Sequence, residues 1–243
     1  MTLTLTSLLN SSVGTATSAN TGTTQSGNAQ SGSTTATAAA KAAASPLGAI
    51  QKRVQADADS TQTQLSAFGV LKSAVAQSQT AAQAAGKLGT NATANDLTKA
   101  MGDLFNAYNG TIAASATATR AVSASANESA NAARVGKDYQ RTLTAPGASE
   151  ALKKLGLSVK ADGTLVQDAK KFAEAVKADP SGVRAALGKL AAGMNSAASK
   201  ELDASGAVGG TLSRLNQRST ALTAQQKALS SAAQGLAAYQ ANS

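Results

Sequence analysis

Residues 212–236 read LSRLNQRSTALTAQQKALSSAAQGL, and their spacing decides the fold. Leu215, Leu222, Leu229 and Leu236 recur at every seventh position, and Leu212, Ser219, Gln226 and Ala233 occupy the places three and four residues between them. A seven-residue apolar repeat holds one stripe of a helix against a partner helix. Sustained over about four repeats, it predicts a long C-terminal helix, within 205–243, whose leucines face another helix. Ser219 and Gln226 put polar groups into that stripe. Polar seam positions select register and partner at a loss of stability.

A seam needs a receiving helix, which is either the 45–89 segment of this chain or a helix of a neighbouring subunit. Ser45 and Pro46 make a helix start, with Pro at the first helical position. Leu47, Ile50 and Val54 begin an apolar stripe that Leu65, Phe68, Leu71 and Val75 continue; Gly86 and Gly89 mark its end. Leu65 and Phe68 are the expected counterparts of the C-terminal leucines. The predicted architecture is mainly α: two long antiparallel helices, coiled-coil-like, closing around a smaller module at 90–204.

That module reads as short helices with one interruption. Leu97, Met101, Leu104, Phe105, Tyr108 and Ile112 fall on one face of a helix that fades after Ala113; Val135, Tyr139 and Leu143 lie four apart in a second, over 127–143. APG at 145–147 breaks it, and Ser149 is placed to cap a short helix holding Leu152 and Leu155. Then LGLSVKADGTLVQD (155–168) alternates, turns at Asp162-Gly163 and alternates again, predicting a β-hairpin near 157–166 with Leu155, Leu157 and Val159 on one side. Asp168 is the expected N-cap of the next helix, which carries Phe172 and Val176. Asp179 and Pro180 open another helix, with Val183, Leu187, Leu190 and Met194 on its apolar face. Residues 1–44 hold one charge, Lys41, in a run of Ser, Thr, Gly, Ala and Asn; this composition predicts a disordered low-complexity tail.

Composition narrows the function. Alanine supplies much of the 42% hydrophobic fraction and aromatics only 2%, so the core is thin. Without cysteine or histidine the chain lacks disulfides, thiolate metal sites and the commonest general base. Asp57 and Asp59 are two apart on a helix and diverge around its axis, so they read as surface charge. Asp162-Gly163 lacks the other ligands of a calcium loop. No Gly-rich phosphate loop occurs. The expectation is no enzyme, no metal and no cofactor. Net charge is +9, but the 22 basic residues are scattered among 13 acidic ones, which argues against nucleic acid. No apolar stretch is long enough to span a membrane, and the N-terminus does not read as a cleaved secretory signal.

Three segments in order resemble the flagellar hook-associated protein 2 family, the filament-capping proteins. SPLGAIQKRVQADADSTQTQLSAFGVLKSAV (45–75) is similar to its N-terminal conserved region through Leu65-Ser66-Ala67-Phe68-Gly69 and Leu71-Lys72-Ser73-Ala74. DLFNAYNGTI (103–112) resembles a helix with a Tyr-Asn pair, here Tyr108-Asn109. Residues 155–190 match a further signature at Leu155, Gly156, Asp162, Gly163, Thr164, Leu165, Asp168, Asp179, Pro180 and Val183. The resemblance implies a non-enzymatic, secreted structural protein of the bacterial flagellum. It implies a homo-oligomer, partnered by flagellin or hook-junction proteins and handled by the flagellar export apparatus. The family's β-rich head domains are missing from the interval between Gly86 and Asn95, so this is a short form. Two other readings remain: a basic, Ala-rich nucleic-acid-binding protein, and a secreted coiled-coil adhesin.

Overall fold

The computed structural model describes residues 46–241, within one compact unit spanning Ser45–Ser243. The tail expected at 1–44 and the cap expected at Ser45 lie outside the described residues. Among them are seven helices and one two-stranded antiparallel sheet: α1 Pro46–Gly86, α2 Ala94–Ala121, α3 Ala126–Thr144, α4 Ala148–Lys154, β1 Leu157–Val159, β2 Leu165–Gln167, α5 Ala169–Ala178, α6 Pro180–Leu202 and α7 Ala207–Ala241. The fold is mainly α with a single hairpin, as the spacing predicts.

α1 is the spine. Its buried positions follow a seven-residue period in two rows, Thr61, Phe68, Val75, Ala82 and Gln64, Leu71, Ser78, Ala85. Sealing each large member of this stripe contributes roughly 1.5–3 kcal/mol. The small members let neighbouring backbones come close. α6 and α7 both run antiparallel to α1. Arg184 Nη1 of α6 donates to the Gly89 carbonyl at 3.3 Å, and Gln79 Nε2 of α1 donates to Ser199 Oγ at 2.9 Å. Further along, Arg218 of α7 meets Asp57 at 3.3 Å, and Gln226 Nε2 donates to Gln55 Oε1 at 3.0 Å. α6 therefore lines the C-terminal half of α1 and α7 the N-terminal half. Ile50, expected on the apolar stripe, is 46% exposed instead; among the described residues the fully buried rows of α1 begin only at Thr61 and Gln64.

α2 also packs along α1, and α3 packs on α2, α6 and α7. A capping box starts α2: Thr93 Oγ1 accepts from the Asp96 N–H at 3.2 Å, and Asp96 Oδ2 accepts from the Thr93 N–H at 2.9 Å. α2 does not fade after Ala113. It continues to Ala121 on buried Ser115 and Ala118, small residues that suit a close crossing. There Ser115 Oγ donates to the Ala132 carbonyl at 2.7 Å and accepts from the Gly136 N–H at 3.1 Å. One local expectation is corrected. Ser149 is not the cap of α4; Gly147 is, at φ 77°, and Ser149 lies inside the helix. Gly209 and Gly210 sit within the first turn of the last helix.

Candidate assembly surface

Two features could carry function: a hairpin clamped on α2, and the long seam of α7. The hairpin pairs Leu157 with Gln167, Ser158 with Val166 and Val159 with Leu165. Lys160 donates to the Thr164 carbonyl at 2.8 Å, and its own carbonyl accepts from the Gly163 N–H at 2.9 Å. Gly163 lies at φ 84°, so the loop is a turn followed by a left-handed residue. Asp162 Oδ1 accepts from the N–H and hydroxyl of Thr164 at 2.9 and 2.6 Å, and these bonds hold its carboxyl below the usual range. Asp162 and Gly163 are thus turn chemistry.

Antiparallel ladders alternate bonded and non-bonded pairs. The bonded ends at Lys160–Thr164 and Gly156–Asp168 leave Leu165 in a non-bonded pair, with its N–H and C=O turned outward. Asn109 of α2 takes both: Oδ1 accepts from the Leu165 N–H at 2.8 Å and Nδ2 donates to its carbonyl at 3.0 Å. Beside it, the buried Tyr108 hydroxyl donates to the Gly163 carbonyl at 3.0 Å, and burial pushes that phenol up. Leu157 and Leu165 then sink toward Met101, Leu104 and Leu187. Val159, expected on the same inward side, is 47% exposed, since the hairpin tip runs past the end of this packing surface. Leu155 is not extended; it is the buried C-cap of α4.

The helix after the hairpin begins at Asp168, whose Oδ1 accepts from the Lys171 N–H at 3.1 Å. Asp179 does the same for α6, accepting from the Gly182 N–H at 2.8 Å, with Pro180 in the first turn. Lys154 reaches the same carboxylate at 2.6 Å. Together the Lys154 ammonium and these hydrogen bonds hold the Asp179 carboxyl down to about 2. Asp162, Gly163, Asp168, Asp179 and Pro180 all occupy turns and helix starts.

The α7 seam changes along its length. Leu215 and Leu222 are buried against α1, at 2% and 7% exposure; Leu229 is half-buried; Leu236 is 54% exposed and Tyr239 74%. The register set by Arg218–Asp57 and Gln226–Gln55 carries Leu236 past the described start of α1. On α1, Phe68 is wholly buried and Leu65 half-buried. The sequence could not separate the inner leucines, which serve this chain's own fold, from the outer ones. It also left the role of Tyr108 and Asn109 undefined. A polar Asn beside a face of large apolar residues was the available signal.

Among the described residues, no group of three His, Cys, Asp or Glu is placed to hold a metal, and no helix is long and apolar enough to cross a membrane. No curated protein and no solved structure matches the chain. The family described as flagellar hook-associated protein 2 C-terminus matches residues 77–240, which takes in the end of α1, the clamped hairpin and nearly all of α7. By that match the chain belongs to the flagellar hook-associated protein 2 family, structural proteins of the bacterial flagellum.

Proposed function

We propose that the chain is an exported, non-enzymatic subunit at the distal end of the flagellum, of the cap or hook-associated kind, that assembles with copies of itself through the outer part of α7. The observation that carries this reading is Leu236 and Tyr239 standing uncovered on a helix whose preceding leucines are seated. A long helix that leaves its seam open at one end is suited to packing against another subunit. The family membership supports the flagellar setting and favours it over a nucleic-acid-binding role. Flagellin or a hook-junction protein is the expected neighbour, and the flagellar export apparatus the expected route. Where the family resemblance implies β-rich heads, only residues 87–93 separate α1 from α2, so contact with filament partners falls to the helical part.

Gold-labelled antibody against the chain, applied to filaments from the bacterium that makes it, tests the proposal. Label at filament ends, lost from the exterior in an export-deficient strain, is the expected result. Label over the cell surface regardless of flagellar export would replace the reading with an adhesin. Recovery only with nucleic acid would replace it with the basic-protein reading.

A further inference from the structure

Glu201 has no exposed surface and lies in the last turn of α6. Its Oε2 accepts from the Ala207 N–H at 3.2 Å, so it caps the first turn of α7 from the preceding helix. Its Oε1 meets no donor. A second carboxyl, that of Asp138 on α3, neighbours it: Lys200, the residue before Glu201 in α6, binds Asp138 Oδ2 at 2.8 Å. Asp138 is also buried and already engaged: Arg141 lies at 2.6 Å, Lys200 at 2.8 Å and Arg134 at 3.8 Å.

An unpartnered buried acceptor facing a second acceptor is resolved by one proton. A proton on Glu201 Oε1 turns it into a donor to Asp138 and removes a like-charge contact. The surroundings choose which group ionises. α3 presents Asp138, Arg134, Arg141 and the Tyr139 phenol; α6 presents Lys200; α7 presents the Ala207 N–H. Ser78 of α1 and Thr111 of α2, beside the Tyr139 hydroxyl, do not titrate. Burial pushes that phenol up to about 12, so it stays neutral. The three cations sit on Asp138. Burial works against its charge, yet the bonds from Lys200 and Glu201 and the charges of Lys200 and Arg141 hold its carboxyl down. Glu201 is pushed up by burial first and by Asp138 second.

We propose that Asp138 and Glu201 hold one proton between them, and that this proton keeps the α6–α7 corner closed, so that its loss loosens the seating of α7 on α1. The corner is short: Asp203 Oδ1 accepts from the Ser205 N–H at 2.8 Å, and the Gly206 N–H returns to the Asp203 carbonyl at 2.9 Å. α7 runs about 50 Å from this corner, so a small rotation there moves its far end by several ångströms. The folded protein retains a proton that the unfolded chain releases at the ordinary glutamate value. Stability therefore falls as pH rises from that value to the raised one, and levels off above it.

The chain has no cysteine, so Lys52→Cys on α1 and Ser230→Cys on α7 accept spin labels uniquely. In the otherwise unchanged protein, the inter-label distances are expected to be narrow at about pH 5 and to broaden as the pH is raised through the elevated Glu201 range. Glu201→Gln, which keeps a donor to Asp138 and an acceptor for Ala207, is expected to stay narrow throughout. Identical distributions over the whole titration of the parent, or broadening of the Gln variant alongside it, overturns the proposal. If Glu201→Gln does not fold, the infrared carboxyl band of the parent decides. A protonated carboxyl persisting above the range where free glutamate ionises supports the pair, and its absence overturns it.

Discussion

Replacing Asn109 with alanine removes both bonds to the Leu165 backbone, 2.8 and 3.0 Å long, and leaves a partly buried N–H and C=O without partners. Each bond contributes about 1 kcal/mol net, and stranding backbone groups adds to the loss, giving about 2–3 kcal/mol. In a unit of this size each kcal/mol moves the melting temperature by about 2–4 °C, so a drop of about 5–10 °C follows. Urea unfolding followed by helical circular dichroism measures the free energy, and amide exchange at Leu165 reports the clamp itself. Asn106→Ala, on an exposed position of the same helix, is the control and is expected to change stability by less than about 0.5 kcal/mol. Asn109→Asp keeps an acceptor for the Leu165 N–H but turns a carboxylate toward its carbonyl, so it destabilises at neutral pH and recovers in acid. A loss for Asn109→Ala no larger than the control, with Leu165 protection unchanged, would refute the clamp.

Leu222→Ala is expected to destabilise by about 2–4 kcal/mol in urea unfolding, because it empties a seat on α1. Leu236→Ala is expected to change monomer stability by less than about 0.5 kcal/mol. Gly209→Ala should lower thermal stability markedly, since a Cβ there runs into the Asp203 and Leu202 carbonyls at the α6–α7 corner. The Asp179 carboxyl, held at about 2 in the fold, stabilises above the ordinary carboxylate range and loses that contribution as pH falls toward 2. Acid melts of the parent and Asp179→Asn should therefore converge near that pH, with the parent more stable at neutral pH.

Periodicity and turn chemistry made the elements legible. The leucine heptads gave α7, and Asp168, Asp179 and Pro180 gave two helix starts, because caps and seams are local in sequence. The hairpin was visible for the same reason. Less visible were features that depend on crossings. Nothing local says that Asn109 completes the edge of a strand more than fifty residues later. The buried Glu201 offered a faint signal, since it is spaced from Met194 and Ala198 as a core residue would be, yet it is charged. The extent of α2 beyond Ala113 was missed because Ser115 and Ala118 bury through closeness rather than size. For the α7 seam, spacing alone treats Leu215 and Leu236 alike; only their burial in the folded chain, 2% against 54% exposure, separates them.

The mass of the protein in solution, by light scattering across a range of concentrations, tests the assembly claim most directly. The account predicts that the parent forms a multimer and that Leu236→Asp falls to a monomer that keeps the parent's helical circular dichroism at low temperature. A Leu236→Asp variant with the parent's mass, or a parent that stays monomeric at every concentration, would contradict it.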